Sequence, residues 1–289
     1  MSMETQKTTG AEVPKLEYNL AGGLLLTIRE EDFKELLGGL TKAGYQSGCI
    51  LPFRALMESG VDQIKRSPLQ IVHIEEAWNP TAEDNLTKSV LAGLIGHWKR
   101  YRGDTSEPPI LQDSFFPSET TCDRLFREIT EAFPEVKFIS HEIDVDFPDD
   151  RLLVEINQGI NLSSEEILAK AKERGFGLVF DPKHLLPSRR VISQPGLPTR
   201  PLQGEWERQF KTFSDGIKVV DINPSSGNEV SDLLAGKGIL KEVAEAAKEI
   251  EVSSLRVEVV ISPFQQLPGS PFHEKGFRFL EEVGQALRG

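Results

Sequence analysis

The chain has 289 residues, 38% of them hydrophobic and 27% charged, with a formal net charge of −12 at pH 7. No apolar run approaches the ~18 residues that a membrane span needs, and so acidic a balance argues against a protein that grips nucleic acid through its phosphates. The opening MSMETQKTTGAEVPK has no apolar core and reads as neither a secretory signal nor an anchor. Cys49 and Cys122 stand too far apart for a metal or redox motif, so a cytoplasmic protein with free thiols is expected.

Residues 1 to about 20 read as a weakly ordered polar tail, and residues 21–289 as one domain. Leu24–Ile28 is a short apolar run taken as the first strand. Glu30–Ala43 follows as a helix, with Phe33, Leu36, Leu37 and Leu40 at helical spacing and Gly44 as its stop. Ser47–Leu51 is the second strand, Arg54–Lys65 a helix and Leu69–Ile74 the third strand. Asp84–Arg100 is an amphipathic helix carrying Leu86, Val90, Leu91, Leu94, Ile95 and Trp98 on one side. Pro109–Gln112 and Val136–Ser140 compete for the fourth strand, with a helix over Ser118–Phe133 between them. Val136–Ser140 is preferred, which leaves residues 101–150 holding an irregular excursion.

From Leu152 the pattern sharpens. Leu152–Ile156 and Gly177–Phe180 are apolar runs of strand length. Between them lies a helix with Asn161 or Ser163 as N-cap, Glu165 and Glu166 in its first turn, and Gly175 as its stop. Strand, helix and strand within ~30 residues make a βαβ unit, hence two parallel neighbours. Leu185–Gly204 is a Pro- and Arg-bearing loop, Glu205–Phe213 a short helix, and Ile217–Ile222 the seventh strand. Glu229–Lys248 is helical with a break at Gly236 and Gly238. Leu255–Ile261 is the eighth strand and His273–Leu287 the closing helix. This alternation favours a (β/α)8 TIM barrel over an open doubly wound sheet.

In such barrels chemistry gathers at the carboxyl ends of the strands. Glu155, Asp181, Asp221 and Glu258 lie in or at the ends of the last four strands. Converging acids repel one another, and a divalent cation relieves the repulsion. Oxygen ligation points to Mn²⁺ or Mg²⁺ rather than Zn²⁺. His73, Glu75 and Trp78 after the third strand, and His141 after the fourth, are candidate walls of the pocket. Arg189 and Arg190, with Arg200 on the same loop, are candidates for holding a substrate phosphate or carboxylate.

GFGLVFDPKHL resembles the strand-six G-x-x-x-D-x-x-H motif of the xylose-isomerase-like barrel superfamily, which includes sugar isomerases, epimerases and endonuclease-IV-type enzymes. LLVEINQG, IKVVDINPSSG…AGKG and LRVEVV resemble its strands five, seven and eight in order. The resemblance implies metal ligation by Glu155, Asp181 and Glu258, a substrate-facing His184, and proton exchange by Glu155 and Glu258. The superfamily commonly carries a histidine where this chain has Asp221, which would complete an all-carboxylate shell or weaken the site. The resulting expectation is a divalent-metal-dependent isomerase or epimerase acting on a carbohydrate or its phosphate. The alternatives are a non-catalytic barrel that binds a small molecule or partner, and an endonuclease-IV-like phosphodiesterase. Self-association as a homo-oligomer is left open.

Overall fold

The computed structural model describes residues 14–19, 30–50, 69–75, 131, 134–140, 143, 149–157, 162–185, 204–224, 227–250, 252–258 and 274–289. Eight parallel strands close into a barrel in sequence order. They are β1 (Lys15–Asn19), β2 (Ser47–Ile50), β3 (Gln70–Glu75), β4 (Lys137–Ser140), β5 (Leu152–Ile156), β6 (Gly177–Phe180), β7 (Ile217–Ile222) and β8 (Ser254–Val257). Closure comes from β1, which pairs with β2 through Glu17–Ser47 and with β8 through Glu17–Arg256.

One expectation needs correction here. The strand-one place is filled by Lys15–Asn19, inside the stretch read as a tail, and not by Leu24–Ile28, which lies outside the described residues. In KLEYN the hydrophobic run is broken by Glu17, so it reads as polar chain. In the barrel Leu16 and Tyr18 face the helices while Glu17 and Asn19 face the interior, as two-residue alternation requires. The other strand assignments agree to within a few residues. The helices expected over 54–65 and 84–100, and all but Glu131 of 118–133, lie outside the described residues.

The described helices are α1 (Glu30–Lys42), α2 (Ser164–Arg174), α3 (Glu205–Phe213), α4 (Gly227–Leu234), α5 (Ile239–Lys248) and α6 (Glu274–Arg288). Ser163 rather than Asn161 caps α2. The Ser163 Oγ accepts from the Glu166 amide at 3.3 Å, and the Glu166 carboxylate accepts from the Ser163 amide at 2.8 Å. Gly175, at φ 79°, ends this helix in the left-handed conformation that glycine adopts without a Cβ penalty. The helix thus delivers the chain squarely from β5 to β6, the two strands that carry Glu155 and Asp181.

Two separate apolar clusters result from the alternation. Outward residues, among them Leu16, Tyr18, Phe138, Leu152, Val154, Leu178, Phe180, Val220, Leu255 and Val257, pack against the helices. Phe180 meets Phe210 of α3 edge to face at 5.2 Å. Inward residues Cys49, Ile139, Leu153, Val179 and Val219 form a second cluster inside the barrel. Other inward positions, among them Glu17, His73, Glu155, Asp221 and Arg256, are polar or charged. There the site begins.

Candidate functional site

Glu155 is the fourth residue of β5 and Asp181 directly follows β6, so parallel pairing brings both to the same end of the barrel. Each is 2% exposed. The Asp181 carboxylate accepts from the Lys183 amide at 2.7 Å, and the His184 amide donates to the Asp181 carbonyl at 3.1 Å, a turn that folds His184 back over the strand ends. The His184 Nδ1 lies 2.7 Å from Glu155 Oε1 and 3.5 Å from Asp181 Oδ2. One donor atom from each of Glu155, Asp181 and His184 falls within 4.8 Å of the others.

The electrostatics follow from burial. Asp181 is pushed up to about 6 by loss of solvent, with repulsion from Glu155 adding to it and His184 opposing it. Its hydrogen bond to Glu155 raises His184 to about 9, against the effect of partial burial. Glu258, just past β8, is pushed up to about 7 by burial and then by the Glu75 carboxylate. Its side chain accepts from Asn19 Nδ2 at 3.3 Å, and the same amide donates to Glu75 at 3.0 Å. These are carboxyls whose charge the barrel mouth does not fully compensate.

The compensation that does exist comes from Arg256, which is fully buried on β8. Its Nε donates to Asp221 Oδ1 at 2.6 Å and its Nη2 to Asp221 Oδ2. Its Nη1 donates to Glu75 at 2.7 Å, and its Nη2 lies 3.3 Å from Glu155 Oε2. Burial pushes the Asp221 carboxyl up and the Arg256 guanidinium down. The attraction of Asp221 and Glu75 more than restores the guanidinium, which stays charged. A further buried set lies beside it: the His73 ring donates to Glu17 at 2.7 Å, and the Ser254 hydroxyl donates to the same carboxylate at 2.6 Å.

The structure therefore groups the expected residues differently from the sequence. Glu155 and Asp181 converge with His184, the residue that the resemblance places beside the substrate. Asp221 faces Arg256, and Glu258 faces Asn19. His73 is held by Glu17, and Glu75 lies between Asn19 and Arg256. Trp78, His141, Arg189 and Arg190 lie outside the described residues. Sequence reasoning missed Arg256, Glu17 and Asn19. The signal for Arg256 was present: it stands two residues before Glu258, and so on the same face of the strand.

No protein-family model and no curated protein matches the chain. Its fold is similar to solved structures at low identity. One is D-psicose 3-epimerase from Clostridium cellulolyticum H10, 9% identical over 94% of this chain and 97% of that one, with a TM-score of 0.46. A second is a sugar phosphate isomerase/epimerase from Parabacteroides distasonis ATCC 8503, 15% identical over 98% and 96%, with a TM-score of 0.44. A third is the probable 3-DHS dehydratase AsbF from Bacillus anthracis, 10% identical over 93% and 97%, with a TM-score of 0.47.

Proposed function

We propose that this barrel is a divalent-metal-dependent isomerase or epimerase that moves a proton next to the carbonyl of a sugar or sugar phosphate. The observation that carries the reading is the meeting of Glu155, Asp181 and His184 donors within 4.8 Å at the strand ends. Two carboxylates and an imidazole suit a divalent cation. The nitrogen ligand favours Mn²⁺ over Mg²⁺, while the excess of oxygen ligands favours Mn²⁺ over Zn²⁺. When bound, the ion polarises substrate oxygens as a Lewis acid. The chain's own residues do the rest. Glu155 turns one oxygen toward His184 and Asp181 while Arg256 holds the other, and in this reading it holds the ion rather than shuttling protons. Glu258, raised to about 7, exchanges protons near neutrality, which is what a general acid–base group requires. Asn19 orients its carboxylate. In this reading Arg189 and Arg190 grip a substrate phosphate, and the functional unit is one barrel over 21–289 extended by β1.

The test is solvent exchange. Chelator-treated protein reloaded with Mn²⁺ is incubated with ketoses, aldoses and their phosphates in D2O, and deuterium next to the carbonyl is followed by NMR. The reading expects incorporation into at least one substrate, reduced ~10²-fold or more in Glu258→Gln, the usual scale for an acid–base group. Loaded protein that exchanges none of them contradicts it.

A second reading is favoured by Arg256, which already pairs with Asp221 and Glu75 without any ion. On that reading the barrel binds a carbohydrate without turning it over. Ligand binding by calorimetry, without exchange and without dependence on Mn²⁺, is its expected result. Among the described residues no observation favours the endonuclease-IV-like alternative.

A further inference from the structure

The Arg256 guanidinium has five N–H donors in a rigid plane. Here one edge takes both oxygens of Asp221, Nη1 reaches Glu75 at 2.7 Å, and Nη2 also reaches Glu155 Oε2 at 3.3 Å. The group is fully buried, and Cys49 Sγ at 3.6 Å closes its remaining side. Two consequences follow. Asp221 has both oxygens committed to a cation, and a divalent ion approaching it would meet the arginine's charge. Glu155 has Oε2 tied down, which turns Oε1 toward His184 at 2.7 Å and so toward Asp181.

Resting on the cation site proposed above, we infer that Arg256 is its positioning residue: it removes Asp221 from the ligand set and aims Glu155 at the ion. The site is then built on Glu155, Asp181 and His184, with Asp221 as the counter-ion of the arginine. A lysine at 256 keeps the charge, but a single ammonium on a flexible stem cannot span three carboxylates in one plane.

Co²⁺ serves as the probe, because its visible absorption reports the ligand set directly. Chelator-stripped full-length protein is titrated with Co²⁺ as wild type, Asp221→Asn, Glu155→Gln and Arg256→Lys, with circular dichroism confirming each fold. The expected results are an affinity within about threefold of wild type and an unchanged spectrum for Asp221→Asn. Glu155→Gln loses binding. Arg256→Lys weakens it ~10–100-fold, the range for residues that orient a ligand, with a shifted spectrum. Asp221→Asn losing affinity as Glu155→Gln does, or altering the spectrum, overturns the inference. So does Arg256→Lys behaving as wild type. If Arg256→Lys does not fold, the Asp221→Asn arm decides alone. Wild-type protein that takes up no Co²⁺ is a different failure, since no variant then has a signal to lose. It overturns the cation site itself and this inference with it.

Discussion

The barrel interior has two unlike sides. Along β4 to β7 the inward residues Ile139, Leu153, Val179 and Val219 are fully or almost fully buried and pack with Cys49 of β2 as one apolar cluster, with Glu155 and Asp221 further along β5 and β7. Along β8 and β1 to β3 the corresponding positions hold Ser254, Arg256, Glu17, Ser47 and His73, which are as deeply buried. The first side gains from leaving water at ~25 cal/mol per Å². The second side loses on desolvation and recovers through paired charges and hydrogen bonds. Burial alone therefore does not separate core from site. What separates them is whether a buried group needs a partner. The carboxyl ends of β5 and β6 mark the border: Glu155 and Asp181 stand two residues after the apolar Leu153 and Val179, on the same face of the chain.

Breaking the polar side should cost the most. Arg256→Met leaves Asp221, Glu75 and Glu155 buried without their cation, and unfolding by urea should show a loss of ~3–5 kcal/mol. A loss under ~1 kcal/mol would mean that the network contributes little. Next is the apolar side. Leu153→Ala removes methyl groups from the interior cluster, and a loss of ~2–5 kcal/mol is expected with Co²⁺ affinity kept. If Co²⁺ affinity falls with it, the two sides are not separable.

Smaller effects sharpen the contrast. Burial would raise Glu17, but the His73 ring, then Arg256 and Ser254, outweigh it and hold the carboxyl below its usual range. A lowered folded-state pKa stabilises above the unfolded value and is lost as pH falls through the folded one. Glu17→Gln should therefore flatten the acid limb of a stability–pH curve measured below about pH 4.3, the ordinary glutamate value. An unchanged limb would place the acid sensitivity elsewhere. The least effect belongs to Ser47, whose buried hydroxyl has no hydrogen-bond partner among the described residues. Ser47→Ala should be neutral or slightly stabilising in thermal unfolding, since it removes an unsatisfied group. A clear loss would reveal a partner.

The apolar side was the more legible in sequence. Runs such as Leu152–Ile156 and Gly177–Phe180 announce buried parallel strands, and the Ser163 box with Gly175 fixes the helix between them. β1 was hidden because its inward residues are Glu17 and Asn19, so half of the strand looked like solvent-exposed chain. Glu155 and Asp181 were readable from their place at strand ends. His184 was singled out only as a residue facing the substrate, because its place beside them depends on the turn after β6, which sequence spacing does not specify. Asp221 looked like a ligand for the same positional reason. The partner that the proposal holds to withdraw it from the ligand set is Arg256 on the adjacent strand, a pairing set by register.

The most direct test is Mn²⁺ titration of chelator-stripped protein, followed by the paramagnetic resonance of free Mn²⁺, for wild type and Glu155→Ala/Asp181→Ala. The account predicts one Mn²⁺ bound per chain in the wild type and none in the double variant when both are folded. Equal uptake by both, or no uptake by wild type at excess Mn²⁺, would contradict a cation site at the ends of β5 and β6.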